Sequence, residues 1–239
     1  MIVIGGMDDS VPSKPIFTER TLLIQEVPVN SYDNVYVQST LSPMVIGRGC
    51  FCAIYHEGFV WAFGGVNYVD KVIRKCERYA VETDTWKRIP DMVSPRKNAS
   101  ACALSSDTIY LFGGTSQVET VDTVEQYSVS TNVWTMLRVR MPMPVSFLTT
   151  FKISNSEILI MGGMVKDVKN LTTYKSNEVS LFNVVRGKFT RVKPMEREVL
   201  SLYPAFYDDG AIFIVDEENP NGDNAPVVRY DLAGLIPGL

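Results

Sequence analysis

Short apolar, β-favouring runs that end in a pair of glycines punctuate this chain at nearly even intervals. Ile109 to Gly114 reads IYLFGG, and the pattern returns as IVIGG at Ile2 to Gly6, VWAFGG at Val60 to Gly65 and ILIMGG at Ile158 to Gly163. The second glycines, Gly6, Gly65, Gly114 and Gly163, stand 59, 49 and 49 residues apart. A strand-plus-Gly-Gly signature at a period near ~50 residues predicts stacked four-stranded sheets, each unable to bury both faces alone.

The polar and apolar positions around these runs fill in the rest of each unit. Cys50 to Tyr55 precedes the second glycine strand and Ser100 to Leu104 the third, with His56-Glu57-Gly58 and Ser105-Ser106-Asp107 as hairpin turns. After a loop, a third strand carries Glu77 and Tyr79, then Glu125 and Tyr127, and a tryptophan follows each tyrosine by seven residues, at Trp86 and Trp134. VETDT and SVSTNV between them are turn-forming. Each repeat therefore supplies strands a, b, c and d, with Gly-Gly ending b, Tyr in c and Trp opening d. The fourth repeat keeps the spacing with Phe182 and Phe189, and the fifth places AIFIVD (Ala211 to Asp216) at b and Tyr230 at c. The first opens within b, with c expected around Arg20 to Glu26 and d around Val35 to Thr40. The expected count is three, four, four, four and three strands, in blade units of about residues 1–48, 49–98, 99–146, 147–200 and 201–239 of a single domain, 1–239. The two incomplete ends do not complement each other simply: either unrecognised segments supply the missing strands or, the expectation favoured, the 239 residues are a window on a longer, six-bladed ring.

This combination resembles the kelch repeat: an apolar strand ending in Gly-Gly, then Tyr, then Trp after a short turn, then a Met/Pro/Arg segment. The last element is present as Met92, Pro95 and Arg96, and as Met44 with Arg48; Met143-Pro144 and Met195 continue it without a matching arginine. The resemblance covers nearly the full chain and implies an all-β, kelch-type β-propeller. This sequence departs from the pattern in the glycine-free fifth unit, the Phe-for-Trp exchange and the irregular first unit. Gly5, Gly6, Gly64, Gly65, Gly113, Gly114, Gly162 and Gly163, with Tyr79, Trp86, Tyr127 and Trp134, are expected to build the scaffold, glycine through close backbone approach and the aromatics through buried area.

Composition narrows the function. The chain has 239 residues, 46% of them hydrophobic, and a net charge of −4 without a Lys/Arg block. That argues against nucleic acid and against an anionic membrane surface, and no apolar run approaches the ~18 residues of a membrane span. Cys50, Cys52, Cys76 and Cys102 show no CxxC pair and are expected as free thiols of a reducing, cytoplasmic compartment. His56, the one histidine, is expected in an exposed turn; a copper site would lack its imidazoles, and no G-x-S-x-G accompanies it. The acidic runs Asp8-Asp9 and Asp216-Glu217-Glu218 read as solvated loops and NGDN at Asn221 to Asn224 as a turn. No catalytic residue, metal or cofactor is expected.

What varies between repeats is the b–c loops: Met7 to Glu19, Val66 to Lys71, Thr115 to Thr120, Met164 to Tyr174 and Glu217 to Ala225. A constant scaffold with variable loops is the layout of a recognition surface. In proteins that this sequence resembles, partners dock on the b–c and d–a loops, often through arginines. The resemblance therefore implies a contact surface of Arg48, Arg96 and Lys97 with Asn67 and Tyr68, and Arg138 and Arg140 at its margin, facing an acidic peptide segment or a larger assembly. The expected function is a non-catalytic protein-interaction scaffold, cytoplasmic and cytoskeleton-associated. A substrate receptor of a cullin-type ubiquitin ligase is one alternative and a carboxylate- or metal-dependent enzyme the other.

Overall fold

Strand b of each full repeat is the innermost-buried segment, which explains why its sequence reads as a continuous apolar run rather than an alternation. In a computed structural model Trp61, Ala62 and Phe63, then Ile109, Leu111 and Phe112, then Ile158, Leu159 and Met161, are all essentially inaccessible. The structure describes residues 2–4, 7–8, 16–17, 19–28, 34–167, 172–199, 205–208, 210–215 and 227–236. Gly5, Gly6, Asp9, Asp216 to Glu218 and Asn221 to Asn224 lie outside them.

The chain divides into two compact units, Met1–Lys97 and Asn98–Leu239. The first holds a three-stranded sheet of Ile2–Ile4, Thr21–Pro28 and Asn34–Leu41, and a four-stranded meander of Cys52–His56, Phe59–Phe63, Cys76–Ala80 and Thr85–Ile89. The second holds two further meanders. One comprises Ser100–Ser105, Thr108–Phe112, Thr123–Ser128 and Val133–Arg140, the other Thr149–Lys152, Glu157–Met161, Val179–Asn183 and Lys188–Arg191. A three-stranded sheet follows, Phe206–Asp208, Ala211–Val215 and Val227–Asp231. The strand counts per sheet are those expected.

Three expectations need correction. The fourth b–c loop is itself sheet: Met164–Asp167 pairs with Thr172–Lys175 and with Val145–Ser146. In the first, Met7–Asp8 pairs with Ile16–Phe17. His56 closes strand a instead of sitting in the turn, which is Glu57-Gly58 with both φ positive (51° and 79°), the requirement of a two-residue type I′ hairpin.

The aromatics of strands c and d meet across the sheet in every full repeat, at ring-centroid separations of 5.2 Å for Tyr79–Trp86, 5.0 Å for Tyr127–Trp134 and 4.6 Å for Phe182–Phe189. The hydroxyl of Tyr79 donates to Asp84 Oδ1 (2.7 Å), and that of Tyr127 to Asn132 Oδ1. Both acceptors sit at positive φ in the c–d turn, and in the fourth repeat, where Phe182 has no hydroxyl, the turn position is Gly187. Acceptor and hydroxyl vanish together. In the second unit the faces of neighbouring sheets interlock through Tyr110 and Phe112, edge-on to Phe182 at 5.9 and 5.8 Å. Leu159 and Met161 pack in one cluster with Ile212, Ile214 and Tyr230.

In the first unit the junction between its two sheets is polar as well as apolar. Trp86 Nε1 donates to Thr21 Oγ1 (3.1 Å) and to the Ser42 carbonyl (3.0 Å). Asp84 Oδ1 also accepts the Ser42 N–H at 2.8 Å. The Tyr79 and Ser42 hydrogen bonds hold the Asp84 carboxyl below its ordinary value. A depressed folded pKa stabilises above the unfolded value of about 3.9 and is lost as pH falls through the folded one. Asp84→Asn keeps the turn geometry and an acceptor but removes the charge. Its melting temperature is expected to fall below wild type at pH 6–8, with the gap closing below about pH 4. A gap that persists unchanged to pH 3 would remove the carboxylate from this junction.

Candidate interaction surface

The arginines that define the Met/Pro/Arg segment are not at the surface. Arg48 and Arg96 are 0% and 1% exposed, so neither has area with which to meet a partner, and their expected contact role is withdrawn. Arg48 is built into the first unit. Its guanidinium pairs with the equally buried Glu77 and donates to the carbonyls of Gly64 (3.0 Å), Lys75 and Ile46 (3.2 Å). Glu77 in turn accepts the N–H groups of Val45 (2.7 Å) and Ile46 (3.1 Å). Burial pulls the guanidinium below its ordinary basicity, and Glu77 opposes that shift.

The repeat shows what the pair is for. Arg48 follows the buried Met44 by four residues, as Arg96 follows Met92, Val145 follows Met141 and Val199 follows Met195. In place of Glu77, strand c carries Glu125, then Ser180, then Val228. Arginine and glutamate occur together in two repeats and are absent together in the other two. Met141, 4% exposed, is therefore the counterpart of Met92, and Met143 is not. The glycines at this place obey the same geometry. Gly65 N–H donates to the Arg96 carbonyl at 2.9 Å, and a Cβ on Gly64 would run into that same oxygen.

The b–c loops do face outward, and two of them are locked by a polar side chain at the start of the turn. Asn67 Oδ1 accepts the N–H groups of Val69 (3.3 Å) and Lys71 (3.0 Å), while Val66 and Val72 bridge beneath. The tip so formed presents Tyr68 and Val69, 66% and 56% exposed. In the second unit Ser116 Oγ accepts from Val118 and Glu119 above a Thr115–Thr120 bridge, presenting Val118, 81% exposed. Beside the first tip a groove of about 470 Å³ has Ile46, Val72, Ile73 and Pro95 for walls and Lys71, Arg74 and Lys75 for cations. Asp91 bridges Lys75 (2.7 Å) and Arg74 (3.4 Å), which leaves Lys71 without an ion pair among the described residues. Of the other expected residues, Lys97 is half-buried, and Arg138 and Arg140 are exposed on strand d of the third repeat, with Arg140 bridged to Asp122 at 2.9 Å. Lys71, Val69 and Val118 were missed; Asn or Ser opening a short loop was the available signal.

The groups suited to chemistry are one histidine and the thiols. The His56 carbonyl accepts Trp61 Nε1 at 3.2 Å, and its own Nε2 is enclosed. Cys52, Cys76 and Cys102 are buried and Cys50 is exposed, none of them in a disulfide, and burial pushes the Cys76 and Cys102 thiols up to about 12, far from a reactive thiolate. Among the described residues no three His, Cys, Asp or Glu side chains converge on a metal-sized site, and no helix is long and apolar enough to cross a membrane.

Residues 47–93 and 95–138 match the family model of the Kelch motif. Those two stretches carry kelch motifs. It is 24% identical over 205 residues to beta-scruin of Limulus polyphemus, across 82% of this chain and 21% of that one. It is 29% identical over 147 residues to an N-acetylneuraminate epimerase of Yersinia enterocolitica, across 53% of this chain and 37% of the relative. The chain thus spans well under half of either relative. The solved structure of YjhT superposes with a TM-score of 0.65 at 14% identity, over 81% of this chain and 65% of that one. At that identity the likeness concerns the fold, an all-β kelch-type β-propeller.

Proposed function

We propose that this chain is a non-catalytic protein-interaction module, a kelch scaffold or assembly component acting in the cytoplasm, with its docking surface on the b–c loops. The observation that carries this reading is the Asn67-locked tip, which holds Tyr68 and Val69 exposed beside a groove of apolar walls and a Lys71 without an ion pair among the described residues. A rigid, exposed tyrosine loses little entropy on binding and is favoured at the centre of interfaces. Lys71 makes a segment with an acidic residue next to an apolar one the fitting partner. Cysteines outside any disulfide accord with a reducing compartment. Against the enzyme reading, burial holds the Cys76 and Cys102 thiols far from a reactive thiolate.

Paired affinity capture from native extract, with wild type and Tyr68→Ala/Lys71→Glu as baits, tests the surface. The double variant is expected to lose at least one protein retained by wild type, a change of about 10-fold or more for a hot-spot tyrosine. Identical protein sets on both baits would move the docking surface elsewhere.

A further inference from the structure

An internal repeat separates side chains that the architecture demands, which recur, from those that it does not. By strand register, Phe59 of the second repeat corresponds to Thr108 and Glu157, and Arg78 to Gln126 and Leu181. Lys87, directly opposite Arg78, corresponds to Thr135 and Thr190. The scaffold is thus built without Phe59, Arg78 and Lys87 in two of its three complete sheets.

Where these three meet, they are electrostatically incomplete. The Arg78 guanidinium lies 4.6 Å from the Phe59 ring centroid and 5.5 Å from that of Trp61. Its Nε is enclosed by protein and makes no hydrogen bond. Lys87 is exposed on the same face as its cross-strand partner, and among the described residues neither cation has an ion pair. Like charges directly opposite on a sheet repel, and a half-buried guanidinium with unmet donors leaves hydrogen bonding unsatisfied. Both side chains line a groove of about 530 Å³ between the a–b and c–d turns, at the opposite end of the strands from the b–c loops.

We propose that this groove binds the phosphoryl group of a phosphorylated side chain on a partner protein. Two unpaired cations match the −1.5 to −2 charge of a phosphate monoester more closely than the single charge of a carboxylate. The planar Arg78 fork, already held against two rings, is pre-organised to grip two oxygens at once. Glu57 and Glu82 occupy the turns that rim the groove. They repel extended polyanions and favour one phosphoryl group with basic neighbours. The inference does not depend on the b–c loop surface, which Tyr68 and Lys71 test separately.

The experiment is a titration of the full 15N-labelled chain with a phosphoserine peptide flanked by lysines, followed at the arginine Nε–H resonances. The Arg78 resonance is expected to shift saturably, and the unphosphorylated peptide to leave it in place. Lys87→Ala, an exposed change that spares the core, is expected to weaken binding by about 10-fold, and Arg78→Lys, which keeps charge without the fork, by more. Three results would each overturn the proposal: a glutamate peptide that binds as tightly, shifts spread evenly over all arginines, or an affinity unmoved by Lys87→Ala.

Discussion

Arg48→Ala is expected to destabilise the first unit by about 3–5 kcal/mol, the loss typical when one partner of a buried ion pair is removed. The Glu77 carboxylate would stay where it is, at 0% exposure, with two backbone N–H donors but no countercharge. The carbonyls of Gly64, Lys75 and Ile46 would lose their shared donor at the same stroke. The midpoint of urea unfolding measures this directly. Were Arg48 a surface contact, as its segment of sequence suggests, the same substitution would shift stability by well under 1 kcal/mol; that result would return it to the surface. Replacing both Arg48 and Glu77 by methionine is expected to recover most of the loss, because a well-packed apolar pair needs no compensation.

How this arginine was misread shows what a single sequence can carry. The Gly-Gly strands were legible because strand b is buried on both faces and its exit tolerates only glycine. The Tyr–Trp spacing was legible because a four-residue turn fixes it. The d–a segment, by contrast, has no periodicity, and proline and arginine in such a stretch read as exposed loop. The decisive signal was long-range: Arg48 with Glu77, Arg96 with Glu125, then Val145 with Ser180 and Val199 with Val228. Arg48 and Glu77 answer each other, which a reading of one segment at a time does not see. The fourth b–c hairpin escaped for a different reason. Met164–Asp167 and Thr172–Lys175 are mostly outside the core, so no alternation marks them, and only their pairing onto Val145–Ser146 makes them sheet. The candidate surface was half legible: Asn67 and Tyr68 were found through loop variability, but the lock that makes the tip rigid is a hydrogen-bond geometry.

The paired losses also predict a restoration. In the third-to-fourth junction of the second unit, Gly162 N–H donates to the Glu178 carbonyl at 3.0 Å, as Gly64 N–H does to Lys75. Val145 and Ser180 stand where the first unit has its arginine and glutamate, and a cavity of about 30 Å³ remains between them, lined also by Gly162 and Glu178. Val145→Arg alone would push a guanidinium against Met141, Ile160 and Phe189 with no carboxylate to meet it, and should cost about 2–4 kcal/mol. Ser180→Glu alone should cost a similar amount. Combined, each supplies the other's missing charge, and the Gly162 and Glu178 carbonyls offer the guanidinium the acceptors that Arg48 uses. The double variant is expected to recover about 3 kcal/mol relative to the sum of the singles. Urea unfolding of the four proteins closes this cycle. Strictly additive losses would mean that the vacant position is not an arginine socket, and that the joint absence of arginine and glutamate has no structural cause.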